Sequence, residues 1–248
     1  MSTNRKMLGV IGGLGPMASA YFYRLVTERT DAKCDQEHID MCIMSRASTP
    51  DRTAYLTGKS AKSPLRVLCD DAKRLEKMGA GVIVITCNTS HCFIDEIRKS
   101  VSVPIPGMIE ETAEFLKKAG CNTAGIMATD GTVSTGLYQK ALEKAGVGWA
   151  LPDSENQKKV MSLIYDDVKG GGEISPEKFN SVTEHLRNMG CDRIILGCTE
   201  LSVVNCRLGA KPDICDAMEV IAYKAIRACG GKAAGFPAEF DVMYEENL

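Results

Sequence analysis

The chain has 248 residues, enough to bury a full core in one large domain or two small ones. Its charged fraction of 25% and apolar fraction of 44% are those of an ordinary globular protein, and its net charge of −2 comes from interspersed acids and bases. That balance excludes an electrostatic footprint for nucleic acid or an anionic membrane, and no apolar run is long enough to span a bilayer. The first residues, MSTNRKMLGVIGGLGP, lead straight into a strand and a glycine turn with no cleavable apolar region, so a cytoplasmic location is expected.

In chain order, MLGVI (7–11), IDMCIM (39–44), VIVIT (82–86), TAGIMA (123–128) and RIILG (193–197) read as strands. Their near-continuous apolar character suits a parallel sheet covered on both faces. Amphipathic stretches over 63–80, 110–120 and 175–190 lie between them and read as helices, two opening on Ser-Pro and all three stopping at a glycine, Gly79, Gly120 or Gly190. This alternation predicts an α/β fold with parallel sheets. The segment 215–228 reads as a final helix, and the stretch beyond Gly230 lacks periodicity and reads as a loosely docked tail.

An internal repeat divides the chain. RLEKMGAGVIVITCNTS (74–90) aligns without a gap on HLRNMGCDRIILGCTEL (185–201), with Cys87 and Cys198 in register, and LGVIGGLGP (8–16) aligns less well on AGIMATDGT (124–132). The expected architecture is two pseudo-symmetric α/β lobes. The first spans about 1–107 plus 214–248 and carries Cys87; the second spans about 108–213 and carries Cys198. Ligands of open parallel sheets sit at the carboxyl ends of the strands, where both cysteines fall, so the two thiols are expected on opposite walls of an inter-lobe cleft.

Other segments are candidates with plainer alternatives. GGLGPMAS (12–19) holds a GxGxxA pattern, but Pro16 follows the glycines and the expected second strand ends in Met44-Ser45-Arg46 with no acidic ribose ligand. A close backbone approach to a small substrate is preferred there to a dinucleotide. Within the long polar segment 49–58, Arg52 is either a solvated loop charge or a clamp for a carboxylate, whose two oxygens a guanidinium fork matches. Lys169, before three glycines, either caps a helix C-terminus or binds a substrate anion. The eleven cysteines form no CxxC pair and most are expected to be reduced, packed thiols. The three histidines, His38, His91 and His185, show no metal-ligand spacing, and neither GxSxG nor a Walker sequence occurs, so no metal site is expected and most hydrolase and phosphoryl-transfer readings fall away.

Cys87 and Cys198 have core packing as their plain alternative. Their position at strand ends, the polar residues after them and their duplication favour a reacting pair. One thiolate can remove an α-proton from an amino acid while the opposite thiol returns one to the other face. The resulting carbanion spreads onto the α-carboxylate as an enediolate, which needs preorganised donors. Asn88, Thr89, Ser90 and Thr199, with backbone N–H groups at helix N-termini, are the candidates.

The sequence closely resembles the aspartate/glutamate racemase family, in its cofactor-independent aspartate racemase branch. The resemblance rests on GGLGP (12–16), PDRT (50–53), TCNTSH (86–91), MIEET (108–112), MATDGT (127–132), IYDDVKGG (164–171) and GCTE (197–200), in the family's order. It implies two α/β lobes, an acid/base cysteine pair at Cys87 and Cys198, no cofactor or metal, a small-molecule amino-acid substrate and a homodimer. It also implies that Arg52 and Lys169 bind the substrate's side-chain carboxylate, with Thr129 and Thr132 at further polar substrate-binding positions. Glutamate racemases of the wider family carry a histidine after the second Cys-Thr; this chain has Glu200, which favours interconversion of L- and D-aspartate. A glutamate or broad-specificity racemase and a silent amino-acid binder are the alternatives.

Overall fold

The computed structural model describes residues 5–209 and 211–240. Two parallel sheets form its frame. In the first, β1 (Met7–Gly12) lies between β2 (Met41–Ser45) and β3 (Ala80–Ile85), and every register is parallel. Helices α1 (Pro16–Glu28), α2 (Arg52–Leu56) and α3 (Leu65–Lys77) connect these strands, and α4 (Ile94–Lys99) follows them. The second sheet runs β5-β4-β6-β7, from β4 (Thr123–Ala128), β5 (Gly148–Ala150), β6 (Arg193–Gly197) and β7 (Ile214–Asp216). Its helices are α5 (Met108–Lys118), α6 (Asp130–Thr135), α7 (Leu137–Ala145), α8 (Ser154–Ser162), α9 (Pro176–Asn188) and α10 (Thr199–Leu208), and α11 (Ala217–Ala228) closes the fold.

Local chemistry sets these boundaries. Ser175 caps α9 by accepting from the Lys178 amide, with Pro176 pre-set for the first turn. At the other end Gly190 adopts φ +87°, and the Cys191 amide donates back to the Leu186 carbonyl, so the chain can leave the helix and enter β6. The repeat is visible in three dimensions: α3 and α9 are both 13 residues long, and each feeds the strand that ends at a reactive-cysteine candidate. The edge strands β5 and β7, three residues each, escape a periodicity reading and are recruited by hydrogen bonds to their neighbours. Ile214–Asp216, which the sequence places with the first lobe, pairs with β6 in the second sheet.

The core has three parts. A central one joins Leu8, Val10 and Val84 of the first sheet to Ala124, Ile126 and Ile195 of the second through α5 and α11. Two outer ones lie under α3 and under α8 and α9. The described part of the tail corrects the expectation of loose docking. Ala233 bridges to Thr30, and Phe236 and Phe240 stack with Tyr223 in the central core, Phe240 being buried against Phe115 at 4.5 Å between centroids. Residues 241–248 lie outside the described residues.

Candidate active site

The site grows from the carboxyl ends of β3 and β6. Leaving β3, the chain passes Thr86, whose hydroxyl donates to the Ile11 carbonyl, and reaches Cys87. His91 fixes that turn. Its Nε2 accepts from the Met108 amide at 2.9 Å, so Nδ1 carries the proton and donates to the Cys87 carbonyl, also at 2.9 Å. Complete burial holds this imidazole neutral, with a pKa lowered to about 4. The elements after Cys87 differ from the expected helix N-terminus: Thr89–Phe93 form a short 3-10 turn before α4. Asn88 is held by the Tyr138 hydroxyl, which donates to Oδ1 at 2.5 Å, leaving the buried Nδ2 without a partner. Thr89, Thr129 and Thr132 bond to one another in a closed ring of hydroxyls at 2.9–3.1 Å, and this ring joins the Cys87 turn to the end of β4.

Across from this turn, Cys198 stands in extended backbone as the N-cap of α10, a ten-residue helix. Its Sγ donates to Glu200 Oε2 at 2.9 Å. Glu200 is 2% exposed, and its other oxygen, Oε1, has no partner. Burial and the facing carboxylate push the Cys198 thiol well above the ordinary cysteine range, outweighing Lys169, which pulls it down. Oε1 lies over Gly15, where any Cβ would collide with it. The neighbouring glycines have equally local reasons. Gly13 takes φ +74° against the Arg46 backbone, and Gly12 leaves room for Ser19 Oγ.

Two cations complete the arrangement. Arg52 begins α2, where sequence reading saw only a polar segment, and it is 6% exposed. Its terminal nitrogens donate to the Leu14, Thr49 and Pro50 carbonyls, while Nε is buried without a partner. Desolvation works against its charge, but Cys87 and the acids Asp51 and Glu200 win, so the group is held firmly cationic. Lys169 ends a π-helical segment, Leu163–Lys169, that continues α8. Its Nζ sits 4.3 Å from the Tyr165 ring centre. Burial again disfavours its charge, and Glu200 and Cys198 outweigh that and raise it.

A cavity of about 10 Å³ is bordered by Cys87, Cys198, Arg52, Asn88, Thr89, Thr129, Lys169 and Thr199, together with Leu14, Asp51, Thr53 and Glu200. Eight of the ten sequence candidates therefore meet at one place. Ser90 and Thr132 do not border it: Ser90 is fully buried with an unpartnered hydroxyl, and Thr132 lies behind, in the threonine ring. A second cavity of about 420 Å³, lined by Gly13, Met17, Ala47 and Thr49 among others, adjoins the first. Leu14, Asp51, Arg52, Lys169 and Glu200 border both. Glu200 and Tyr138 were not singled out as site residues by sequence. The sequence marks Glu200 by its place after the second Cys-Thr, where glutamate racemases carry a histidine, but does not show its bond to the thiol. All eleven cysteines are free thiols, of which Cys34 and Cys206 are exposed. Among the described residues no group of three His, Cys, Asp or Glu could hold a metal ion.

The sequence model of the Asp/Glu/Hydantoin racemase family matches residues 11–225. The chain belongs to this family. Its fold superposes on the Picrophilus torridus aspartate racemase with a TM-score of 0.84 at 28% identity, covering 96% of this chain and 99% of that one. Among curated proteins it is similar to the broad-specificity amino-acid racemase RacX of Bacillus subtilis (strain 168), 23% identical over 89% of this chain and 96% of that protein. It is also similar to a glutamate racemase of Lysinibacillus sphaericus (strain C3-41), 26% identical over 72% of this chain and 76% of that protein. Membership of an amino-acid racemase family gives the paired thiols a chemical context, and the two-lobed α/β architecture is the family's.

Proposed function

We propose that this member of the racemase family interconverts L- and D-aspartate by two-base proton transfer between Cys87 and Cys198. The observation that carries the reading is that both thiols border one small cavity together with Arg52 and Lys169, two cations suited to a dicarboxylate. Cys198 starts as the thiol, bonded to Glu200, so Cys87 is the base in the direction that begins from this state. Its thiolate takes the α-proton, and the C–H electron pair moves onto the α-carboxylate. The pair then returns to carbon as the Cys198 S–H bond breaks on the opposite face. Configuration inverts, leaving Cys87 protonated and Cys198 a thiolate.

The developing enediolate charge falls first to a donor that needs no reorganisation. The Tyr138 hydroxyl holds the Asn88 amide by donating to Oδ1 and leaves Nδ2 with no partner, while the Thr89 and Thr199 hydroxyls, which border the same space, would first leave their present partners. One preorganised donor of this kind contributes about 3 kcal/mol to such a transition state. Arg52 Nε and Lys169 Nζ take the side-chain carboxylate in this reading.

The test is chiral chromatography of aspartate, glutamate and neutral amino acids incubated with the protein in D2O. Loss of optical activity with deuterium at the α-carbon is expected for aspartate above the others, without added cofactor. Cys87→Ala and Cys198→Ala are each expected to lower turnover by at least ~10³-fold, since removing a reacting acid or base forfeits its full catalytic factor. Full activity in either variant ends the two-base mechanism. Faster turnover of glutamate, or comparable rates across many amino acids, replaces aspartate by the specificity named for the Lysinibacillus or Bacillus relative.

A further inference from the structure

Glu200 is the buried acid that the two-cysteine scheme leaves without a task. Its Oε2 accepts from Cys198 Sγ at 2.9 Å, and Thr199 Oγ1 lies 3.4 Å away. Its Oε1 is buried with no partner and lies over Gly15. Burying a carboxylate oxygen without a partner is costly, so a fold keeps one where it does something else. The side chain borders both cavities, placing one oxygen on the sulfur and the carboxylate as a whole beside the outer space.

We propose that Glu200 is the positioning residue that sets the proton state of Cys198, holding it as the thiol and hence as the acid of the pair. The proposal rests on the racemase reading for its catalytic meaning, though the contact itself does not. Once Cys198 has given its proton to carbon, its thiolate stands 2.9 Å from the Glu200 oxygen, anion against anion. That pair cannot stay doubly charged at such a distance, so it takes one proton from water of the outer cavity. The proton now on Cys87 leaves to solvent, the count balances, and the starting state is restored.

Several other groups face this sulfur. Lys169 of the π-helical segment opposes Glu200 and favours the thiolate, and Cys87 lies opposite. Tyr138 of α7 and Tyr165 are also near, and burial raises the pKa of both, so they stay neutral. Arg52 and Lys169 are the cations facing Glu200. Among the described residues around Cys198, only Glu200 bonds to the sulfur, which makes it the one to remove.

The experiment follows alkylation of the intact protein by iodoacetamide between pH 6 and 10, resolved by mass spectrometry for each cysteine. The midpoint of the normalised rate against pH separates ionisation of Cys198 from its accessibility. In Glu200→Gln this midpoint is expected to fall by about one pH unit or more, the shift that loss of a charge-assisted hydrogen bond produces. The basic limb of kcat/KM for aspartate should fall by the same amount. Because the enantiomers have equal free energy, it must fall alike for L- and D-aspartate. Gly15→Ala is the second variant: its backbone is extended and tolerates a side chain, but the methyl displaces Glu200. It should move the midpoint the same way by less. An unchanged Cys198 midpoint in Glu200→Gln, or in Gly15→Ala should the first variant not fold, overturns the proposal. A shifted midpoint in a protein that racemises nothing leaves the pair standing and sinks the racemase reading instead.

Discussion

His91 and Asp216 are single buried groups whose protonation is tied to folding, and they pull in opposite directions. His91 uses both ring nitrogens on backbone groups and is held near a pKa of about 4. The unfolded chain, at about 6.5, binds the extra proton, so this group favours the fold increasingly as pH rises from 4 to 6.5, by roughly 3 kcal/mol in all. Asp216 caps α11, accepting from Ser202 Oγ at 2.6 Å and the Met218 amide at 2.9 Å. Complete burial and Glu219 raise it to about 7. Its folded form holds a proton that the unfolded chain has lost, so its stabilisation is present below pH 4 and gone above 7, a loss of roughly 4 kcal/mol. The two slopes nearly cancel between pH 4 and 6.5. Asp216→Asn keeps the accepting oxygen and removes the charge. It should melt above the wild type at pH 8, with the gap narrowing as pH falls and closing near pH 4, and its own stability should now climb from pH 4 to 6.5. Identical pH profiles of Tm would show that Asp216 does not titrate in the fold. The cysteines were legible as residues because a repeat marked them, and Glu200 because it replaces the histidine after the second Cys-Thr, whereas the bond of Glu200 to the sulfur and the titration of Asp216 arise from burial, which one carboxylate in a sequence does not announce.

At the scale of elements, the tail and the π-helical segment show what periodicity misses. Phe236 and Phe240 are one i, i+4 pair, too little for a pattern, yet with Tyr223 and Phe115 they close the central core. Phe240→Ala should therefore cost about 3 kcal/mol, the usual loss for emptying a buried phenylalanine site. Urea unfolding monitored by circular dichroism measures it, and a loss under 0.5 kcal/mol would mean that the tail merely rests on the surface. The segment Leu163–Lys169 reads as ordinary helix because π and α turns share the same residue preferences. Tertiary contacts select the wider turn. The Gly170 amide closes it on the Tyr165 carbonyl, and Asp167 is pinned by Lys178 Nζ at 2.7 Å and the Ser175 amide at 3.1 Å. Gly170 and Gly172 then let the chain fold back against the Asp166 carbonyl. Wider turns of this sort recur at functional sites, and here the turn delivers Lys169 to both cavities.

The space beside the two thiols is closed. The space between the thiols, about 10 Å³, suits about one water and admits no amino acid, while the adjoining space holds about 420 Å³. Entry therefore requires the two walls to part, and catalysis requires them to return. The central core spans both sheets through α5 and α11, so the parting is expected on the far side of that shared core, where α2 meets α6. The contact there is close: a Cβ on Gly131 would lie 2.9 Å from the Thr53 Cα, backbone against backbone. Neither partner can yield by a rotamer change, so Gly131→Ala acts as a wedge that holds the seam ajar. Thr53 neighbours Arg52, and Gly131 stands between Thr129 and Thr132 of the hydroxyl ring, so a few tenths of an ångström at the seam are passed on to the groups around the substrate. Misplacement on that scale is costly where reacting atoms must meet at about 3–3.5 Å, and under the racemase function proposed above a loss of at least ~10-fold in kcat/KM is expected. Overpacking should also lower stability by about 1–3 kcal/mol without abolishing cooperative unfolding. Wild-type kcat/KM in a folded Gly131→Ala protein would place the closing motion elsewhere than the α2–α6 seam.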